Sequence, residues 1–429
     1  MRNNYSFSVW ALVALVVGNA VGAGIYTTSG FSLAALGSRE WVLLAWFVAG
    51  LIALCGAVSY SMLVQGITES GGEYVYLSRT IHPIAGFIAG WVSLLAGFPG
   101  AIAFSASAFE TYAVSAVPEL VNLPTDLLAI IVIVFAGLIH IVRVKSGARI
   151  HETIVALMLV ILIIVVLWSG SQFLISEELP TTDSSSLANF SIFAFANSLV
   201  WISLSYSGFN AAAYIAGEVK DAKTVVPKGM VVGTLITIAL CVAVNAIMLY
   251  GVDPGIIIGQ ADIAAKAANA LAGNLGQKII EVVIAVSLLT SITAMALAGP
   301  RVYAKMAEDG ALPSLFKARA GTPPRMSIVL QIVTSITLVL IADLRDLLSY
   351  LGFTLSLCLA LAVSSLFVRH VKPKSIYYPI APLVFVLSTV LFAVLSAVND
   401  PTQFYAGAVT VIVGSTAYLV SCKKTYEKI

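Results

Sequence analysis

Two glycines stand in the middle of the first long apolar stretch, in the run Asn19-Ala20-Val21-Gly22-Ala23-Gly24-Ile25-Tyr26. Glycine destabilises a helix interior by roughly 1 kcal/mol relative to alanine, so a helix is expected to break here. In lipid, a broken helix persists only where its free N–H and C=O groups find partners. The helix that restarts near Gly22–Ile25 would point its free N–H groups and its positive dipole end at the bilayer centre, where a carboxylate binds well.

A second interruption is expected in another apolar stretch, where small and polar residues cluster between Ser198 and Ala211. Carbonyl groups freed at the two breaks could accept hydrogen bonds from an ammonium group, so the pair of breaks suits a zwitterion. Paired interruptions at corresponding places of two halves indicate a transport site formed by an inverted repeat. The alternative is that the small residues only let helices pack closely. No Asp, Glu, Lys or Arg lies near the breaks, which argues against a strongly charged ligand side chain.

The composition predicts an all-α polytopic membrane protein. The chain has 429 residues, of which 59% are hydrophobic and 10% charged, whereas soluble domains carry about 25% charged residues. A membrane helix needs about 20 apolar residues, and the sequence offers twelve such stretches. They lie near 7–35, 41–66, 83–115, 126–142, 149–173, 190–216, 229–251, 276–303, 326–342, 346–369, 377–398 and 402–421.

The basic residues predict the orientation. Of the 23 lysines and arginines, 19 fall on one side of a twelve-helix arrangement, and four fall on the other: Arg39, Lys266, Lys278 and Arg345. Basic residues accumulate in cytoplasmic segments, so both termini are expected in the cytoplasm. The short connections favour the inner membrane of a bacterial-type cell.

Several functions lack their sequence motifs. The chain contains neither GxxxxGK[ST] nor GxSxG, so ATP-driven transport and serine hydrolysis are not expected. No residues support an enzymatic activity, a cofactor, a metal or a nucleic-acid partner. A secondary transporter in the lipid bilayer, folded as one transmembrane domain over 1–429, is the class that fits, and the oligomeric state is open.

Four motifs in order resemble the amino acid–polyamine–organocation (APC) superfamily over nearly the whole chain. They are Gly18–Tyr26 in helix 1, Glu69–Leu77 between helices 2 and 3, Ser207–Asn210 with Gly217–Lys220 and Pro227 around the exit of helix 6, and Arg301–Gly310 with Leu312-Pro313 and Thr322-Pro323 after helix 8.

The resemblance implies a five-plus-five inverted repeat of the leucine-transporter type, with repeats near 7–173 and 190–369 and two extra helices near 377–421. It also implies an amino acid or a related amine as substrate. By position, the carboxylate would meet Ala23, Gly24 and Ile25, and the amino group would meet carbonyls near Ala20, Leu204 and Ser207. The expected substrate-binding set is completed by Asn19, Gly22, Tyr206, Gly208 and Asn210.

Two positions depart from this resemblance. Several relatives have a helix 6 aromatic residue that closes over the substrate, where this sequence has Leu204. Trp201 or Tyr206 could replace it. Many relatives also carry a helix 5 lysine thought to replace a sodium ion or carry a proton, and here Met158 occupies that coupling position.

Three ways of coupling stay open. The methionine can simply fill space in an uncoupled exchanger or facilitator. Alternatively Ser287, Thr290 and Ser291, spaced i, i+3, i+4 on one helix face, form a possible sodium site, unless their hydroxyls bond their own backbone. Proton coupling would need a titrating group. The candidates are His82, His140, His151, Glu152, Glu110 and Glu281, all expected near helix ends. Arg301, Lys305, Glu308 and Asp309 are expected to form a cytoplasmic ion-pair cluster.

The sequence therefore predicts secondary active or exchange transport of amino acids, most simply neutral ones, across the plasma membrane by alternating access. One alternative is a polyamine, amine or cationic amino acid carrier, which would need a carboxylate near the breaks. A second is a ligand-binding sensor that does not transport.

Overall fold

A computed structural model describes residues 7–141, 156–164, 190–318, 323–368, 373 and 375–421, and these residues form helices joined by short connections. In chain order the α-helices are α1 Val9–Ala20, α2 Ala23–Leu36, α3 Arg39–Gly66, α4 Gly72–Thr80, α5 Pro83–Val92, α6 Phe98–Ala116, α7 Leu127–Ile141, α8 over 156–164, α9 Ile192–Tyr206, α10 Ala222–Tyr250, α11 Pro254–Ile257, α12 Ile263–Glu308, α13 Arg325–Ile341, α14 Leu344–Val368, α15 Ile380–Asn399 and α16 Pro401–Ser421.

Within the described ranges, eight helical segments are long and apolar enough to cross a membrane, which makes this a multi-pass membrane protein. They are Val9–Leu36, Arg39–Gly66, Pro83–Ala116, Ile192–Glu218, Ala222–Tyr250, Ile263–Glu308, Leu344–Val368 and Ile380–Asn399. Leu127–Ile141 and Arg325–Ile341 are shorter apolar helices. The expected span near 149–173 lies largely outside the described residues, and α16 covers the last one. Twelve spans and the inverted repeat stay predictions.

The first span consists of two helices. The first, α1, ends at Ala20, and α2 begins at Ala23. Between them Gly22 has an extended backbone, with φ −123° and ψ −155°, and no side chain caps the new helix. The glycine pair thus coincides with a real interruption of the backbone hydrogen bonds.

The expected gap in helix 6, which is the sixth predicted span near 190–216 and not α6, takes another form. The helix α9 runs to Tyr206 and continues without a gap as a 3₁₀ helix over Ser207–Glu218, called the 3₁₀ segment below. Twelve residues is long for this tighter winding, which is normally used in short pieces. Small residues in its first turn let it lie directly against α1, as described for the site.

Three other local features differ from the expected helix boundaries. The connection between helices 2 and 3 contains the short helix α4. The span 83–115 contains a π-helical turn at Ser93–Gly97, just before Pro99, which has no backbone N–H to donate. The helix α12 starts at Ile263 rather than near 276, and it bends at Gly273, where φ is +65°. This first part carries Lys266, Asn269 and Asn274 and is therefore less apolar than the rest of the helix.

The packing of the helices places the two interrupted spans at the centre. In this arrangement α1 contacts α10 and the 3₁₀ segment, α2 contacts α9, and α12 contacts α6 and α2. Glycines let α1 approach α10 closely: a Cβ built on Gly233 would lie 2.8 Å from Cβ of Val16. Met158 is buried in the main hydrophobic core.

The α9–α14 contact generates a stability prediction. A Cβ on Gly352 would overlap the backbone carbonyl of Val200, and a backbone atom cannot move aside as a side chain can. We expect Gly352→Ala to lower the free energy of unfolding by about 1–3 kcal/mol, measured as a lower thermal midpoint in detergent. Gly97→Ala is the control, because its new Cβ would come no closer than 3.6 Å to Leu355. Equal midpoints for the two variants would contradict this packing.

Candidate functional site

The first turn of α2 offers free backbone donors. Ala23, Gly24 and Ile25 are the first three residues of this helix, so their N–H groups have no acceptor one turn earlier. None of these N–H groups donates to a residue outside α2 in the described part of the chain. All three residues are buried. This arrangement at a helix N-terminus can bind a carboxylate through several N–H groups at once.

Helix 6 lies against the break at two points. A Cβ on Gly24 would overlap Oγ of Ser205 in α9. A Cβ on Gly208, in the 3₁₀ segment, would lie 2.6 Å from the backbone nitrogen of Ala20. The structure therefore brings these two predicted glycines to the place where the interrupted spans meet, and neither position has room for a side chain.

Two buried hydroxyl groups beside the break have no hydrogen-bond partner in the described residues: those of Ser205 and Ser291. Buried polar groups are normally paired, so these hydroxyls can serve a bound ligand. No role for Ser205 was predicted from the sequence. Ser205 lies in the polar run of helix 6, but only its packing against Gly24 distinguishes it from the other serines there.

The predicted ion-site residues divide into two groups. Ser287 donates to the carbonyl of Val21 at 3.0 Å, and Ser291 lies beside Gly22, whose added Cβ would be 3.2 Å from its Oγ. Thr290 donates instead to the carbonyl of Val286 in its own helix at 2.8 Å. Two of the three hydroxyls thus face the break.

Some predicted acceptors already have donors. The carbonyl of Leu204 accepts from Oγ of Ser207 at 2.7 Å, and the carbonyl of Ala20 accepts from the N–H of Gly22 at 2.9 Å. The side chain of Asn19 donates to the carbonyl of Leu15 at 2.8 Å. A carbonyl oxygen has two lone pairs, so that of Ala20 can still accept a second hydrogen bond. The carbonyl of Leu204 already accepts two, because the backbone N–H of Ser207 also donates to it.

The two aromatic candidates for an outer gate point at other helices. The indole N–H of Trp201 donates to Ser349 in α14 at 2.8 Å. The hydroxyl of Tyr206 donates to the backbone carbonyl of Trp46 in α3 at 3.1 Å. The structure does not bring these polar groups to the break of helix 1.

The predicted pocket residue Asn210 binds a carboxylate, that of Glu73, which was not predicted to lie near the site. Nδ2 of Asn210 donates to the carboxylate of Glu73 in α4 at 2.8 Å. Glu73 lies in the motif 69–77, but nothing in its local sequence indicates that it would be buried beside helix 6.

Other ionisable groups occupy the helix ends. Of the predicted cluster, Lys305 pairs with Glu308 at 3.9 Å and with Asp309 at 3.2 Å, whereas Arg301 pairs with Glu218 at 3.4 Å instead. Arg79 joins the cluster through Asp309 at 3.3 Å and also pairs with Glu69 at 3.2 Å. Hydrogen bonding to Glu69 holds the pKa of Arg79 above its ordinary value, which keeps its charge in place.

The remaining titrating candidates have varied surroundings. His140 bonds the carbonyl of Thr293 in α12 at 2.8 Å. Glu110 accepts from two backbone N–H groups, and Glu281 is buried with Ser115 and Gln277 on one of its oxygens. His151 and Glu152 lie outside the described residues.

Comparison with known proteins agrees with this architecture. Residues 7–417 match the amino acid permease family. The chain is 27% identical to the serine/threonine exchanger SteT of Bacillus subtilis (strain 168), covering 84% of this chain and 82% of that protein. It is 26% identical to the cystine/glutamate transporter of Homo sapiens, over 95% and 83% of the two chains. It is also 23% identical to the large neutral amino acids transporter small subunit 2 of Homo sapiens, over 95% and 78%.

The family match covers almost the entire chain and agrees with its interrupted, membrane-spanning helices. The protein therefore belongs to the amino acid permease family, within the APC superfamily, and its function is amino acid transport.

Proposed function

We propose that this protein exchanges neutral amino acids across the cell membrane by alternating access, with both termini in the cytoplasm. The observation that carries the proposal is the buried first turn of α2, where Ala23, Gly24 and Ile25 offer N–H groups without partners beside the free hydroxyl of Ser205. Two of the relatives' names support exchange and uncharged substrates, since one is a serine/threonine exchanger and another a large neutral amino acid transporter, whereas the cystine/glutamate transporter shows that relatives also take other amino acids.

In the proposed complex, the substrate carboxylate binds the first turn of α2. The ammonium group is held by the carbonyls of Ala20 and Ser207, because that of the third predicted residue, Leu204, already accepts two hydrogen bonds. The side chain extends toward Asn210. The carboxylate of Glu73 contacts Asn210, and three donors already bind it. A neutral substrate therefore suits the site better than a cationic amino acid or a polyamine.

The decisive experiment is transport by the purified protein in liposomes. We expect saturable uptake of radiolabelled serine, threonine, alanine or leucine when the liposomes contain unlabelled amino acid, and slow uptake when they are empty. Arginine and putrescine are tested as competitors for the alternative substrates. Binding of an amino acid without flux would support the sensor instead, and the absence of any saturable flux would refute the proposal.

The contact of Gly24 with Ser205 gives a prediction about the site. We expect Gly24→Ala to reduce uptake by about tenfold or more, because the added methyl must push helix 6 away from the break at a cost of about 1–3 kcal/mol. The double variant Gly24→Ala with Ser205→Gly should recover much of the uptake, since it removes the overlapping hydroxyl. Uptake is compared at equal amounts of folded protein. Wild-type uptake by Gly24→Ala alone would show that the site lies elsewhere.

Sodium should not be required for exchange. Hard cations bind several oxygen ligands that converge on one point, whereas Thr290 bonds the carbonyl of Val286 in its own helix, so that of the three hydroxyls only those of Ser287 and Ser291 face the break. Met158 supplies no charge at the coupling position. We expect the exchange rate to stay within twofold when choline replaces sodium at constant membrane potential. If exchange is lost in choline, and the Ser291→Ala variant loses it in sodium as well, the ion site would be established instead.

A further inference from the structure

The carboxylate of Glu73 is buried and binds three hydrogen-bond donors. Glu73 lies in the first turn of α4, with 4% of its surface exposed. Its Oε1 accepts from the hydroxyl of Tyr60 at 2.5 Å and from Nδ2 of Asn210 at 2.8 Å, and its Oε2 accepts from the hydroxyl of Tyr214 at 2.6 Å.

These contacts fit an ionised carboxylate, which accepts hydrogen bonds and donates none. All three partners are neutral donors, and Glu73 takes part in no salt bridge within the described ranges. A buried charge is costly unless hydrogen bonds replace its hydration. The three donors therefore must stay in place for as long as Glu73 is buried.

The donors connect the two elements on either side of Glu73. Tyr60 belongs to α3, whereas Asn210 and Tyr214 both belong to the 3₁₀ segment. The preceding residue, Gly72, has φ +56°, and a Cβ there would overlap the ring of Tyr214. Glu73 thus fixes the middle of the 3₁₀ segment against α3 and α4.

The same segment borders the proposed substrate site. Gly208, in its first turn, packs on the backbone of Ala20 at the end of α1. Its last turn is held by contacts exposed to water, namely the N–H of Gly217 to Ser70 and the ion pair of Glu218 with Arg301. Exposed ion pairs contribute little to stability, so the buried Glu73 contacts are the stronger attachment of the segment.

We propose that Glu73 is a positioning residue of the transport cycle, whose carboxylate latches the 3₁₀ segment to α3 and α4 and thereby closes the path from the substrate site to the side predicted to be cytoplasmic. The inference rests on the proposed transport function. Opening this path separates Asn210 and Tyr214 from Glu73, and water then hydrates the carboxylate. The hydrogen bonds to Asn210 and Tyr214 therefore stabilise only the state closed on that side.

This asymmetry predicts opposite effects on the two faces of the membrane. Weakening the latch lowers the population that binds substrate from outside and raises the population open to the inside. The apparent affinity of a site scales with the fraction of protein that is competent to bind. We expect Tyr214→Phe and Glu73→Gln to raise the external KM at least threefold and to lower the internal KM, measured as substrate exchange in right-side-out and inside-out vesicles.

Tyr350→Phe is the matched control, because it also removes one tyrosine hydroxyl that pairs with another side chain, Thr410, away from the 3₁₀ segment. Both of its KM values should equal those of the wild type. A change of the two KM values in the same direction, or no change, would overturn the latch. Tyr214→Phe keeps the carboxylate and two of its donors, so it tests the proposal even if Glu73→Gln does not fold.

A second measurement separates the latch from the transport function. Hydrogen–deuterium exchange of the purified protein should become faster over 207–218 in Tyr214→Phe and Glu73→Gln, with peptides of α10 unchanged. Faster exchange over 207–218 in a protein without flux would support the latch and refute the transport proposal. Unchanged exchange over 207–218 in a protein that transports would refute the latch alone.

Discussion

A helix interrupted inside a membrane must satisfy its free backbone groups within the protein, because lipid offers them no hydrogen bonds. At the break of helix 1, the carbonyl of Val21 accepts from Ser287, and the N–H of Gly22 donates to the carbonyl of Ala20. The N–H groups in the first turn of α2 have no such partner. The arrangement of α9, α12 and the 3₁₀ segment around this turn is what makes it the proposed binding site.

Close approach of backbones is the second constraint, and it depends on the absence of side chains. Gly24 faces Ser205, and Gly208 faces Ala20, so helix 6 touches helix 1 on both sides of the break. Any relative movement of the two spans changes the volume and the donors available to a ligand. Alternating access by movement of these spans therefore acts directly on the groups that would hold the substrate.

The charged side chains at this end of the bundle differ in their exposure to water. Arg79, Lys305 and Asp309 form partly exposed pairs at one end of the bundle, where solvent weakens each pair and the pairs can rearrange readily. Glu73 lies nearby in sequence but is buried, and neutral donors replace its hydration. The proposed latch uses this difference, since its buried charge gains hydration when the segment moves away.

The membrane class and the break at the glycine pair could be predicted from the sequence, because hydropathy and backbone propensity are local properties. The prediction of a gap in helix 6 was wrong, because this span tightens into a 3₁₀ helix where it packs on helix 1. Ser205 beside Gly24 and Glu73 beside Asn210, the latter 137 residues apart, could not be foreseen. Which face each helix turns to its neighbours is fixed by packing of the whole bundle, so only the tertiary structure decided these contacts.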